Sequence, residues 1–169
     1  QRWNGWSKDL KEIIKLKPEH ISAYALTPER GTQLFKLMKE KKITMPSAEQ
    51  KSKWFLDTHN MIKSHFYMPY EISSFSKKGY ECQHNLNYWK LNPYLSFGPS
   101  AHSYDTKKRW WNIKSLEKYI RLLNNNKSVV EDFEILNNRD NYNEAILNGL
   151  RISDGISLSK IKKFHKKNY

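Results

Sequence analysis

The sequence is poor in cysteine and lacks any long apolar run. Its 169 residues include one cysteine, Cys82, and the mean hydropathy is −0.86. One thiol cannot form an internal disulfide, and alone it cannot hold zinc or an iron–sulfur cluster, because each needs three or four strong ligands. No apolar stretch approaches the roughly 20 residues of a membrane-spanning helix. We therefore expect neither a disulfide scaffold nor a transmembrane protein. We expect a protein of a reducing, cytoplasmic compartment.

The sequence also lacks the usual signs of a chain start. It opens on Gln1 rather than Met, and it stops at Tyr169 within a continuing pattern. No charged and then apolar leader comes first, so no secretory signal is expected. We therefore expect the chain to be a fragment of a longer protein.

Arginine is scarce although the net charge is +13, since 24 of the 30 basic residues are Lys, and Asn occurs 15 times. Reading of bases and two-pronged binding of phosphate both favour Arg. We therefore expect a solvated, Lys-rich surface and no nucleic-acid partner. The densest basic run lies at the end of the chain and comprises Lys160, Lys162, Lys163, Lys166 and Lys167.

Helical periodicity and turn signals divide the chain into helices and short strands. Ser47 and Gln50 have the spacing of a capping box, and Trp54 and Phe55 in the helix that follows are expected to pack in the core. The spacing predicts helices near 4–17, 32–38, 47–65, 115–123, 137–150 and 157–164. Strands are predicted near 20–27, 67–74 and 94–98.

Alternation of helices and strands over residues 1–114 is typical of a parallel sheet covered by helices. We therefore expect the three strands to be mutually parallel. Residues 115–169 are expected to form a separate helical domain without a long strand. The predicted class is thus α/β followed by a helical part.

The densest group of reactive side chains runs from Tyr80 to Trp89. His84 and Tyr88 stand four residues apart, which puts both on one face of a helix. A neutral imidazole is a good axial ligand of haem iron, and a tyrosine phenolate is an alternative. The alternative interpretation is structural: the histidine makes local hydrogen bonds, and the aromatic residues beside it pack in the core.

Two predicted strand ends lead into loops, where parallel sheets bind ligands. One loop contains His102 after the small residues Gly98 to Ala101, and the other contains Thr27. Both are weak signals, because a histidine in a loop is commonly satisfied by local hydrogen bonds. Glu71, near the end of the second predicted strand, is a candidate buried carboxylate. Phosphate-binding glycine loops, a Ser-His-Asp order and helical zinc motifs are not present in the sequence.

Six blocks of the sequence, in order, resemble the radical-SAM proteins that are related to oxygen-independent coproporphyrinogen III oxidase. The pattern His84-Asn85-x-x-Tyr88 resembles the haem-chaperone branch, HemW-type, rather than the oxidases. The blocks are His20-Ile21-Ser22 with Tyr24 to Thr32, Tyr70 to Ser73, Cys82 to Trp89, Gly98 with Ala101-His102-Ser103, Glu144 to Arg151, and Gly155-Ile156.

The resemblance implies the C-terminal part of an incomplete (β/α)6 radical-SAM barrel over residues 1–114. A truncated helical, winged-helix-like domain would follow over 115–169. The family's three cluster cysteines, CxxxCxxC, would lie upstream, so that this fragment would hold neither the 4Fe–4S cluster nor S-adenosylmethionine properly. Cys82 matches the cysteine beside the haem motif and not a cluster ligand.

The resemblance further implies that His84, Asn85 and Tyr88 bind haem, and that the protein passes haem to an acceptor protein. Thr27 and His102 match backbone positions beside S-adenosylmethionine in related enzymes. No residue matches a catalytic group. The alternative function is that of the oxidases, which decarboxylate coproporphyrinogen III by a radical route.

We expect this chain, reconstituted anaerobically with iron and sulfide, to give no stable 4Fe–4S absorbance after desalting. The reason is that Cys82 offers one thiolate where such a cluster takes three or four. The full-length protein, treated in the same way, should give the absorbance. Stoichiometric iron and sulfide retained by this chain would contradict the expectation.

Overall fold

A computed structural model describes residues 3–165 and divides the chain into two compact units, Gln1–Glu81 and Cys82–Tyr169. Lys166 and Lys167 of the basic run lie outside the described residues. No helix in the described part is long and apolar enough to cross a membrane. The division into domains at residue 114 stays a prediction.

The first unit contains three helices and a small antiparallel sheet. The central strand β3 pairs with β1 on one side and with β2 on the other. The elements are α1 (Trp3–Lys15), β1 (His20–Ser22), α2 (Gln33–Lys39), α3 (Ala48–Lys63), β2 (Met68–Glu71) and β3 (Ser74–Ser76).

The core of the first unit lies between the sheet and helices α1 and α3. Its buried members are Leu10, Ile21, Ile62, Tyr67 and Phe75. Tyr67 keeps its hydroxyl satisfied by donating to the Pro18 carbonyl oxygen at 2.7 Å. Trp54 and Phe55, expected in the core, lie outside it, and Phe55 is 43% exposed.

The sheet of this unit is not the parallel sheet that was expected. β1 and β2 run parallel to one another, as predicted, but they do not pair, because β3 lies between them and is antiparallel to both. The predicted strand over 67–74 is in fact the first arm and turn of a hairpin, with the turn at Ile72 and Ser73. A two-residue turn can join only antiparallel neighbours. The turn residues Ile72 and Ser73 include none of the Gly, Asn, Asp or Pro residues that usually mark a turn. The sequence therefore predicted one continuous strand across the turn.

The second unit contains four helices and a second antiparallel sheet among its described residues, with β5 between β4 and β6. The elements are α4 (Gln83–Trp89), β4 (His102–Tyr104), β5 (Lys108–Asn112), α5 (Leu116–Asn124), β6 (Val130–Ile135), α6 (Asn138–Gly149) and α7 (Leu158–His165).

Two strand predictions fail in this unit. Residues 94–98 form no strand, and Tyr94 makes an isolated bridge to Tyr104 instead. Residues 115–169, expected to be helical throughout, contain the six-residue strand β6. Every residue of β6 is exposed, so its sequence shows no alternation between a buried and a solvated face.

Helix starts agree well with the sequence, because their caps are local. The side chain of Ser47 accepts from the Gln50 N–H at 3.1 Å, and Gln50 returns the bond to the Ser47 N–H at 3.0 Å. Asn137 and Asp140 form an equivalent capping box at α6. Thr32 caps α2 in the same position.

Arg109 on β5 ties together three elements of the second unit. Its guanidinium donates to Glu134 on β6 at 2.9 Å and to both carboxylate oxygens of Glu144 on α6 at 2.9 Å. It also lies over the Tyr104 ring, 5.7 Å from the centroid. Nη2 donates to both Glu144 oxygens and Nη1 donates to Glu134, and charge-assisted bonds of this kind are stronger than neutral ones, so this cation joins α6 to the sheet.

We expect Phe75→Ala to lower the free energy of unfolding by about 3–5 kcal/mol, since the ring is fully buried and its removal leaves a cavity. Phe66→Ala is the matched control, because that ring is 88% exposed and should change stability by less than about 0.5 kcal/mol. Urea unfolding followed by far-ultraviolet circular dichroism measures both. Equal losses for the two variants would show that the core is elsewhere.

We expect Glu144→Gln to destabilise the chain by about 1–3 kcal/mol, because it removes a charge-assisted acceptor from the half-buried Arg109. Glu134→Gln should cost about 1 kcal/mol or less, since that carboxylate is 47% exposed and makes a single bond. Urea midpoints at neutral pH compare the two. A larger loss for Glu134→Gln would contradict this ranking.

Candidate functional site

Helix α4 presents the candidate haem residues at the surface of the second unit. His84 is exposed, whereas Asn85 and Tyr88 are half-buried. The predicted helical spacing is confirmed as a ring contact, with the His84 imidazole and the Tyr88 ring edge to face at 4.7 Å. The side chain of Asn85 is not on the same footing, since that residue has an interaction of its own. His84 is therefore reachable from solvent while its ring is supported from one side.

The ring contact continues inward through two more tyrosines. Tyr88 packs against Tyr94 at 4.4 Å, and Tyr94 lies 5.9 Å from Tyr104, which is buried on β4. Tyr94 and Tyr104 also exchange two backbone hydrogen bonds of 2.8 and 2.9 Å. Burial raises the pKa of both phenols above the ordinary tyrosine value. We call His84, Tyr88, Tyr94 and Tyr104 the ring series.

The opposite side of α4 is attached to the segment between α6 and α7. The Arg151 guanidinium lies over the Trp89 ring at 4.4 Å, and Lys90 pairs with Asp154 at 3.6 Å. Leu91 then ends the helix in the left-handed region, at φ +54°. The helix is thus fixed at its end, and its first turn, with His84, faces solvent.

His102, the other candidate histidine of this unit, has a different environment. It is the first residue of β4, and its exposed ring stacks on Trp111 of β5 with 5.6 Å between centroids. The loop before it is fixed by side chains, since Gly98 accepts from Asn112 and donates to Tyr119, each at 3.0 Å. Stacking on a cross-strand tryptophan is a structural role that needs no ligand.

In the first unit, Thr27 lies in an irregular, exposed stretch after β1. Glu71 is buried, as its position suggested, with 5% of its surface exposed. The His20 imidazole is 2.9 Å from the Tyr70 hydroxyl beside it. Burial lowers the pKa of His20, and the charge of Glu71 opposes that shift. The contact between His20 and Tyr70 joins β1 to β2, and these residues of the first unit form no group with the spacing of a metal site.

The described residues do not fit an iron–sulfur cluster. Cys82 stands before α4 as a free thiol, and no three His, Cys, Asp or Glu residues within 3–165 are grouped to hold a metal ion. A haem needs less, because one axial ligand and an apolar surface suffice. The exposed imidazole of His84 and the rings behind it meet the first requirement. Leu95 and Phe97, in the segment after Tyr94, add exposed apolar surface to the same unit.

The sequence pattern missed the inner half of the ring series. Tyr94 and Tyr104 join α4 to β4 through a bridge between residues ten apart, and Arg109 reaches both phenols from the next strand. Helical spacing detects neighbours three or four residues apart and no further. The tyrosines at 88, 94 and 104 are unequally spaced, so they match neither the helical nor the strand period and could not be grouped from the sequence.

No family model matches the chain. Among curated proteins, it is 31% identical to the haem chaperone HemW of Bacillus subtilis over 148 residues, which is 88% of this chain and 39% of that protein. It is 30% identical over 154 residues to HemW of Mycobacterium tuberculosis, which is 91% of this chain and 40% of that protein. The putative HemW-like haem chaperone of Buchnera aphidicola subsp. Baizongia pistaciae is 34% identical over 92% of this chain and 41% of its own length.

The fold is similar to that of a solved radical-SAM enzyme, the coproporphyrinogen III oxidase HemN of Escherichia coli. The TM-score is 0.70 at 18% identity, over 98% of this chain and 41% of that one. The mixed α/β class predicted from the sequence is thereby confirmed. The chain spans about two fifths of the length of the relatives that it matches. Over the part that it covers, this chain is a homologue of the HemW-type haem chaperones.

Proposed function

We propose that this chain carries the haem-binding surface of a cytoplasmic haem chaperone, which holds haem and passes it to an acceptor protein. The observation that supports the proposal is the exposed His84 imidazole, held edge to face against Tyr88 at 4.7 Å. It occurs in a chain whose relatives are named as haem chaperones. An imidazole that is both accessible and supported suits a cargo that must be bound and then released.

His84 would supply one ring nitrogen to the haem iron as an axial ligand. The second ring nitrogen can donate a hydrogen bond, which sets the orientation of the ring and the basicity of the ligand. Asn85, the next residue, has an amide that can donate to a haem propionate. Tyr88 limits rotation of the imidazole through its ring, and Tyr94 keeps Tyr88 in place.

In the longer protein we place this chain in the C-terminal part of an incomplete barrel, as the fold likeness to a radical-SAM enzyme favours. A 4Fe–4S cluster and S-adenosylmethionine would then be bound mainly by residues outside this chain. Thr27 and His102 would lie beside S-adenosylmethionine. The stacking of His102 on Trp111 is compatible with a contact made through its backbone, since the side chain is already engaged.

The second candidate function, oxidative decarboxylation of coproporphyrinogen III, has the same fold likeness in its favour. It needs a radical source that this chain's residues do not supply, because Cys82 is the one cysteine in the sequence. Haem binding by the isolated chain separates the two proposals. A chaperone surface should bind haem by itself, whereas an oxidase fragment has no reason to.

We expect His84→Ala to weaken haem binding by the 169-residue chain about tenfold or more and to shift the Soret band, because an axial ligand is lost. Tyr88→Phe should change affinity by less than about tenfold, since the ring contact with the imidazole is kept. Titration with haemin, followed by absorbance, measures affinity and spectrum together.

His102→Ala is the control for this titration, because it removes an exposed histidine of the same unit that stacks on Trp111. Its affinity and Soret band should match those of the unchanged chain. If His102→Ala abolishes binding and His84→Ala does not, the haem site lies at the start of β4. If neither variant differs from the parent, haem binding is non-specific and the proposal fails.

A further inference from the structure

The first unit contains a cavity of about 410 Å³ that the haem proposal does not use. All of its lining residues belong to that unit, so it can be considered by itself. Aromatic and aliphatic side chains form most of the wall. They include Trp6, Tyr24, Trp54, Phe55 and Phe75. This volume lies within the range of about 300–1,000 Å³ that is usual for small-molecule sites.

The wall of the cavity is held in place by hydrogen bonds and ring contacts. The Trp6 indole N–H donates to the Thr58 hydroxyl oxygen at 2.8 Å, which joins α1 to α3. His59 lies between two phenylalanines, with its ring centroid 4.2 Å from that of Phe55 and 4.6 Å from that of Phe75. A wall fixed in this way loses little conformational entropy when a ligand enters.

Polar groups interrupt the apolar wall, and among them are an imidazole and an ammonium group. The Nε2 atom of His59 donates to the Ile72 carbonyl oxygen at 3.0 Å, because a carbonyl oxygen can only accept. Lys51, on the first turns of α3, brings a cation to the cavity. Among the residues that the structure describes, Lys51 forms no ion pair, whereas Lys53 on the same helix is paired with Asp57 at 2.7 Å.

We propose that this cavity is a binding site for a small, flat aromatic carboxylate. The rings of Trp54 and Phe55 would pack on the aromatic part, and the Lys51 ammonium would pair with the carboxylate. The combination is the usual one for ligand sites, in which an apolar pocket supplies affinity and a few polar groups set orientation. A neutral apolar ligand would leave the Lys51 charge without a counter-charge, so the anion is preferred.

The test uses 2-naphthoate as the probe, with the neutral 2-naphthalenemethanol as its uncharged analogue, and the 169-residue chain. Binding is followed by the NMR signals of the indole N–H groups, assigned by single Trp→Phe replacements. We expect saturable, one-to-one shifts of the Trp6 and Trp54 signals. The signals of Trp110 and Trp111, which belong to the second unit, should not move.

Lys51→Gln should weaken naphthoate binding about three- to tenfold, the size expected for one solvent-accessible ion pair, and should leave the affinity for the alcohol unchanged. Lys53→Gln is the matched control on the same helix, and it should affect neither probe. Both positions are exposed, so neither change threatens the fold.

Three results would overturn the proposal. The first is a shift of all the indole signals together without saturation, which would mean non-specific adsorption to exposed apolar surface. The second is equal weakening by Lys51→Gln and Lys53→Gln, which would reduce the effect to net charge. The third is equal affinity for the acid and the alcohol, which would leave an apolar pocket without the proposed anion site. Haem binding at His84 is measured separately, so either proposal can fail alone.

Discussion

The guanidinium of Arg109 is the interaction on which the second unit most depends. It bonds to carboxylates on β6 and α6 and covers the ring of Tyr104 on the adjacent strand, so two segments distant in sequence are joined to the β4–β5 hairpin at one cation. The same contact reaches the surface through rings, because Tyr104 supports Tyr94, Tyr94 supports Tyr88, and Tyr88 lies against His84. The orientation of the exposed His84 imidazole thus depends, through three tyrosine rings, on the half-buried ion pair of Arg109 and Glu144.

The features that could be predicted from the sequence are those set by residues three or four positions apart. The starts of α2, α3 and α6 were predictable because Thr32, Ser47 and Asn137 cap them within three residues. The contact between His84 and Tyr88 was predictable for the same reason.

Strand pairing was not predictable, because direction depends on turns and on partners far along the chain. The turn at Ile72 and Ser73 contains a serine but none of the stronger turn residues Gly, Pro, Asn and Asp, and β6 has no buried face to give it a period. Tyr94 was expected in a strand and instead bridges to Tyr104, which turns a predicted sheet residue into support for the candidate site. Trp54 and Phe55 were expected in the core, and instead they line a cavity beside the core residue Phe75.

The open edge of β6 affects how this chain behaves in concentrated solution. The strand pairs with β5 along one edge, and within the described residues no strand covers the other, so its backbone groups there could template the addition of a further strand. Glu131, Asp132 and Glu134 place three carboxylates on this strand in a chain that is otherwise strongly basic. Glu134 is paired with Arg109, so two copies that met edge to edge would bring mainly the charges of Glu131 and Asp132 together, and like charges placed in this way oppose pairing between edges.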